Sequence, residues 1–154
     1  MREWINNRYN TNFTEDDLSS IKDFSLIWNV FENVVCQNRF NSQSISNGIV
    51  NHQMNADNFN AHLQYFKQRY VTNGILNPRF PYLNFRQNDR RPLIEDVLLG
   101  INTNNNDIIL ALIIIVYRYR NNLFHGLKNM QEIDQQKDNF DNANNVLKIF
   151  LNYY

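Results

Sequence analysis

The feature that most constrains this chain is an unbroken apolar run, Ile108-Ile-Leu-Ala-Leu-Ile-Ile-Ile-Val-Tyr117. Ten residues are too few to span a bilayer, which needs about 20. The run must therefore be buried by the rest of the chain. Its β-branched centre, Ile113 to Val116, would suit a strand if read alone. The continuation Arg118-Tyr-Arg-Asn-Asn-Leu-Phe-His-Gly126 carries the element beyond strand length. That favours a buried helix, capped by Asn106 or Asp107 and running to about Phe124. Arginines in its last turns suit the negative end of the helix dipole, and Gly126 is placed to turn the chain after the C-cap.

A helix sealed on several sides needs other helices around it, and the periodicity supplies them. Thr14 before Glu15-Asp16-Asp17 reads as an N-cap with an acidic first turn. Ile21, Phe24, Trp28, Phe31 and Val35 then recur at steps of three and four. Leu26, Ile27 and Val34 widen that stripe, which predicts cover on two sides. Residues 38–55 are polar and mixed, and read as a long connection. A second helix carries Phe59, Leu63, Phe66 and Tyr70 on one face, with Asn73-Gly74 as its closing signal. Pro92 opens a short helix that Gly100 ends. A last helix carries Ile133, Phe140, Val146, Leu147 and Phe150. No segment alternates with period two over a useful length. The expectation is an all-α, single-domain bundle of four to five helices, roughly 14–37, 56–72, 92–99, 107–125 and 131–151.

Composition narrows the function classes. The chain has 154 residues, enough for one real core. Fifteen basic and fifteen acidic side chains cancel, so any contact with nucleic acid is local or is assembled from several copies. There are 29 asparagines, spread among charged and aromatic residues, which argues against a prion-like tract. The lone Cys36 excludes an internal disulfide and a cysteine zinc cluster, and its apolar helical setting suits a core residue. His52 and His62 lack the spacing of a helical metal pair. Glu32, inside the first aromatic helix, either faces solvent or pairs with an arginine such as Arg118 or Arg120. No phosphate-binding Gly-rich loop, nucleophile elbow or HExxH motif is present. The first residues hold no apolar core of signal-peptide length, so a soluble, cytoplasmic protein with no membrane partner is expected.

The chemistry concentrates where the apolar helix runs out. Arg120, then Asn121, then three further residues, then His125 place a permanent cation beside a group that titrates near neutrality. Such a pair suits RNA cleavage by internal transfer. A neutral imidazole takes the proton of a ribose 2′-OH, while a guanidinium grips the scissile phosphate and the charge of its transition state. Asn121 and Asn122 are placed to contact phosphate or orient the histidine, and Arg118 is a further candidate for RNA. A second candidate contact is the loop Arg79-Phe-Pro-Tyr-Leu-Asn-Phe-Arg-Gln-Asn-Asp-Arg-Arg91, whose Arg86, Arg90 and Arg91 alternate with aromatics that can stack on bases. Its Phe80, Tyr82 and Phe85 equally suit a plug onto the helical core. The bland reading of Arg120 to Gly126 is an ordinary helix end, with cations matching the dipole and Leu123 and Phe124 packing inward.

The string Arg120-Asn121-Asn122-Leu123-Phe124-His125-Gly126 resembles the signature of the HEPN superfamily, small all-α domains that often act as metal-independent ribonucleases. Phe24-Ser-Leu-Ile-Trp28-Asn-Val-Phe31-Glu32 is similar to the first helix of Apea-like HEPN proteins. Together the two blocks cover a small part of the chain. The resemblance implies catalysis by Arg120, His125 and Asn121 without metal or cofactor. It also implies a homodimer whose shared cleft gathers two histidines as base and acid, and a role in bacterial defence or a toxin–antitoxin system with a partner protein. The alternative is a non-catalytic module of the same shape for dimerisation or for binding a partner or RNA. One departure stands out. HEPN toxins paired with a nucleotidyltransferase often carry a tyrosine two residues after the histidine, and Leu127 stands there.

Overall fold

The capping signals decide where the helices begin. In the computed structural model, which describes residues 1–125 and 130–154, the Thr14 hydroxyl accepts from the Asp17 N–H (3.2 Å). Asp17 Oδ2 in turn accepts from the Thr14 N–H (2.7 Å). This reciprocal capping box opens α2 (Glu15–Cys36), which follows a short α1 (Arg2–Tyr9). Phe24, Trp28, Phe31 and Val35 are buried along α2, but Leu26 and Val34 are exposed. The helix is therefore covered on one side, which corrects the expectation of two.

Residues 38–55 hold a further helix, α3 (Ser42–Asn51), rather than a plain connection. Asn41 caps it by accepting from the Gln43 and Ser44 N–H groups. Only Ile45 and Ile49, one turn apart, are apolar and buried there, and so narrow a stripe is hard to read from periodicity. The second predicted helix divides. A 3₁₀ turn (Ala56–Phe59) leads into α4 (Asn60–Tyr70), and the chain then forms a hairpin of β1 (Val71–Thr72) and β2 (Ile75–Leu76). Val71 pairs with Leu76 and Thr72 with Ile75. Asn73 (φ 52°) and Gly74 (φ 76°) are both left-handed, as a two-residue hairpin turn requires. Asn73-Gly74 is thus a hairpin turn and not a helix cap.

A 3₁₀ turn (Phe80–Leu83) precedes α5 (Arg91–Leu99), which ends at left-handed Gly100. The apolar run lies in α6 (Asn105–Phe124), capped by Asn104 through the N–H groups of Asn106 and Asp107. Ile109 to Val116 are all buried. The final helix, α7 (Lys137–Leu151), begins later than predicted, after a 3₁₀ stretch (Met130–Gln136). The described residues thus hold seven α-helices and one small hairpin, against the four or five helices the periodicity predicts.

α2 lies along α7, and α6 packs against α3, α5 and α7. One apolar core joins α2 to α7, while Ile5, Phe13, Leu18 and Ile133 form a smaller cluster that fastens α1. Among the described residues, no helix is long and apolar enough to cross a membrane.

Candidate functional site at the end of the central helix

The last turns of α6 bury polar groups as deeply as its middle turns bury aliphatic ones. Arg118 is 2% exposed. Its Nε donates to the Leu83 carbonyl (3.0 Å), and its Nη1 lies 3.2 Å from Asp89 Oδ2, an ion pair without the alignment of a hydrogen bond. Asp89 Oδ2 also accepts from the Arg86 N–H (2.6 Å), so one carboxylate shapes the loop and anchors it to the helix. One turn on, the Asn122 amide donates to the carbonyls of Tyr82 (3.0 Å) and Leu83 (3.3 Å). Arg118 and Asn122, four residues apart, share one helix face and clamp the 79–91 loop. Arg118 and Asn122 are buried against the loop, and Arg118 is paired to Asp89, which corrects their reading as exposed RNA contacts: both side chains serve as a clamp.

The loop itself answers to both readings. Phe80 and Leu83 are buried and Phe85 packs against the core, so they plug it. Tyr82 instead faces solvent. Arg86, Arg90 and Arg91 are all exposed. Arg91 Nε lies 2.7 Å from Glu95 Oε1, and its guanidinium sits 5.5 Å from the Phe80 ring centroid. Arg90 is left-handed (φ 52°) at the start of α5.

Arg120 leaves the opposite side of α6 and is half-buried. Its Nη1 donates to Asn121 Oδ1 (3.1 Å), and its guanidinium lies 5.3 Å from the Phe124 ring centroid. No carboxylate among the described residues pairs with it, and its buried Nε has no hydrogen-bond partner. Asn121 is buried, with its Nδ2 also unpartnered. His125 caps the helix: its backbone N–H donates to the Asn121 carbonyl (2.9 Å), and the residue is exposed. The structure therefore brings Arg120 and Asn121 together and sets His125 at the tip. Five helical steps put Arg120 and His125 about 140° apart around the axis. Gly126 and Leu127 lie outside the described residues.

The remaining candidates have ordinary partners. Glu32 accepts from Trp28 Nε1 (3.2 Å), not from Arg118 or Arg120. His62 Nδ1 is 2.7 Å from Asn142 Oδ1, and the His52 ring lies 4.1 Å from that of Tyr154. Burial pushes the Cys36 thiol up to about 11, so it stays protonated and unreactive at neutral pH. Among the described residues, no three His, Cys, Asp or Glu side chains gather where they would hold a metal ion.

Sequence reasoning missed a cleft of about 440 Å³ beside the end of α6. Arg69 and Tyr70 from α4, Arg79 and Tyr82 from the loop, and Tyr119 and Asn122 from α6 line it. The Tyr70 and Tyr119 hydroxyls are 2.6 Å apart, and Asn139 Oδ1 accepts from Tyr65 (2.7 Å) and from Tyr119 (3.3 Å). Burial raises all three phenols, Tyr65 to about 12, so the cluster is neutral. Tyr65 and Arg69, one turn apart on α4, are visible in the sequence. Their meeting with Tyr119, some fifty residues later, carries no local signal.

No family model matches the chain, and no curated protein or solved structure matches it either.

Proposed function

We propose that this chain is a HEPN-type, metal-independent endoribonuclease that works as a homodimer. The observation that carries the reading is the state of Arg120. It is a guanidinium at the end of α6 with no carboxylate partner among the described residues, held by the amide of Asn121 and followed by an exposed His125. Arg118, two residues earlier, is buried and ion-paired to Asp89. A cation held in place without a counter-charge is what a phosphodiester in its transition state requires.

In this reading His125 removes the proton from a ribose 2′-OH. The 2′-oxygen attacks phosphorus, the bond to the 5′-oxygen breaks, and His125 of the second copy protonates that leaving oxygen. The products are a 2′,3′-cyclic phosphate and a 5′-hydroxyl. Arg120 neutralises the phosphorane, and Asn121 orients Arg120. Phe124, 56% exposed between the two residues in sequence, offers an apolar contact at this end for the second copy. The resemblance further supports action in the cytoplasm, in bacterial defence or as a toxin held by a partner protein.

The divergence of Arg120 and His125 around α6 favours a second reading, a non-catalytic module for dimerisation or partner binding. One experiment separates the two: incubation of the purified protein with end-labelled RNA in EDTA, beside His125→Ala. Cleavage by the wild type alone supports the enzyme. No cleavage of several RNAs by a folded protein, or equal cleavage by the variant, rejects it.

A further inference from the structure

We infer that the cleft beside the end of α6 is a binding site for a nucleotide, with its phosphate on Arg69 and Arg79 and its base against Tyr82. The cleft, about 440 Å³, lies in the size range of small-ligand sites. Two guanidiniums reach it, and among the described residues neither has a carboxylate within ion-pair distance. Arg69 is the more telling of the two. It is half-buried, its guanidinium lies 5.8 Å from the Tyr70 ring centroid and touches the Tyr65 and Tyr70 hydroxyls, and its buried Nε has no hydrogen-bond partner. A buried donor without an acceptor is costly, and a phosphate oxygen in the cleft supplies one.

The rest of the lining fits the same ligand. The floor is the neutral Tyr70–Tyr119 hydroxyl pair, which sets no negative charge against an anion. Glu132 also lines the cleft, and its single carboxylate is outweighed by two guanidiniums. Tyr82 is 76% exposed on a loop that Arg118 and Asn122 hold rigidly from below. An aromatic face presented on a fixed loop beside two arginines is the arrangement that stacks a base while its phosphate is gripped. A simple anion would make no use of Tyr82.

The same chemistry has two sources, a free nucleotide or one residue of an RNA strand. The second rests on the ribonuclease reading, because the strand would then continue past the end of α6 to Arg120. Binding is measured by titration calorimetry with the four nucleoside 5′-monophosphates, with a ten-nucleotide 2′-O-methyl RNA that cannot be cleaved by internal transfer, and with inorganic phosphate. Wild type is compared with Arg69→Gln, Arg79→Gln, Tyr82→Ala and Glu132→Gln. Arg79 and Tyr82 are exposed, so their variants report on binding even if Arg69→Gln fails to fold.

The expected result is at least tenfold weaker binding for each arginine variant and tighter binding for Glu132→Gln. Tyr82→Ala should weaken the nucleotide or the oligonucleotide and leave inorganic phosphate unchanged. Binding of monophosphates identifies a free nucleotide as the ligand, and binding of the oligonucleotide alone identifies the strand. No binding of either probe, or binding unchanged in Arg79→Gln, overturns the proposal. Binding that ignores Tyr82 overturns the nucleotide and leaves a plain anion site. His125→Ala keeps the two readings apart. If it abolishes cleavage yet binds as wild type does, both stand; if it cleaves as wild type does, the ribonuclease fails and the cleft is judged on Arg79 alone.

Discussion

Arg118 and Arg120 sit two residues apart on α6 and lead opposite lives. Arg118 faces the 79–91 loop, is 2% exposed, and holds Asp89 and the Leu83 carbonyl. Arg120 faces away, half-buried, with an amide and an aromatic ring for neighbours and no carboxylate among the described residues. In sequence they are equivalent, both basic and both suited to the helix dipole. The helix rotation of about 100° per residue separates them. A cation near a candidate site is therefore informative only once its counter-charge is located. The arginine whose charge is already paired builds the scaffold, and the one without a counter-charge is available for a ligand.

The comparison breaks most readily at Asp89. Asp89→Ala leaves the Arg118 guanidinium buried without its partner, and should cost about 3–5 kcal/mol, measured by urea unfolding. A loss below about 1 kcal/mol would show that Arg118 is not held as described. On the other face, Arg120→Gln and His125→Ala should each lower RNA cleavage by about 10²-fold or more. His125 is exposed, so its variant should unfold within about 0.5 kcal/mol of wild type; a large destabilisation would make it a structural cap instead.

Smaller effects sharpen the picture of the sealed side. Asn122→Ala removes donors to Tyr82 and Leu83 and should cost about 1 kcal/mol, the net value of such bonds, because the Tyr82 carbonyl keeps Asn84 Nδ2 and the Leu83 carbonyl keeps Arg118 Nε. Tyr119→Phe should cost about 1 kcal/mol at neutral pH and also change the alkaline response. Burial raises the folded-state values of Tyr65, Tyr70 and Tyr119. Their contribution is fully present below the unfolded value near 10 and is lost as pH rises toward the folded one, about 12 for Tyr65. Wild type should therefore lose stability above about pH 10, and Tyr119→Phe should lose it less steeply. Equal slopes in chemical denaturation between pH 9 and 11 would argue that Tyr119 is not sealed.

What could be read beforehand follows from how local each signal is. The Thr14 cap and its acidic first turn lie within four consecutive residues and are legible, as is the burial of α6 from its aliphatic run, whereas the return bond from Asp17 is a finding of the structure. α3 was hidden because two isoleucines carry its apolar face among serines and asparagines. The hairpin was hidden because its strands are two residues long, too short for an alternation to register, and Asn73-Gly74 suits a helix end as well as a turn. The site divides in the same way. Arg120, Asn121 and His125 form one short string and could be named together. The burial of Arg118 depends on Asp89, 29 residues earlier, and the cleft depends on Tyr70, Arg79 and Tyr119 meeting from three separate segments.

Cleavage by internal transfer leaves its signature on the ends of the RNA. RNA incubated with the wild-type protein in EDTA should yield 2′,3′-cyclic phosphate and 5′-hydroxyl termini, resolved by mass spectrometry, as internal transfer through His125 and Arg120 requires. Termini carrying a 5′-phosphate and a 3′-hydroxyl, or intact RNA, would contradict the account.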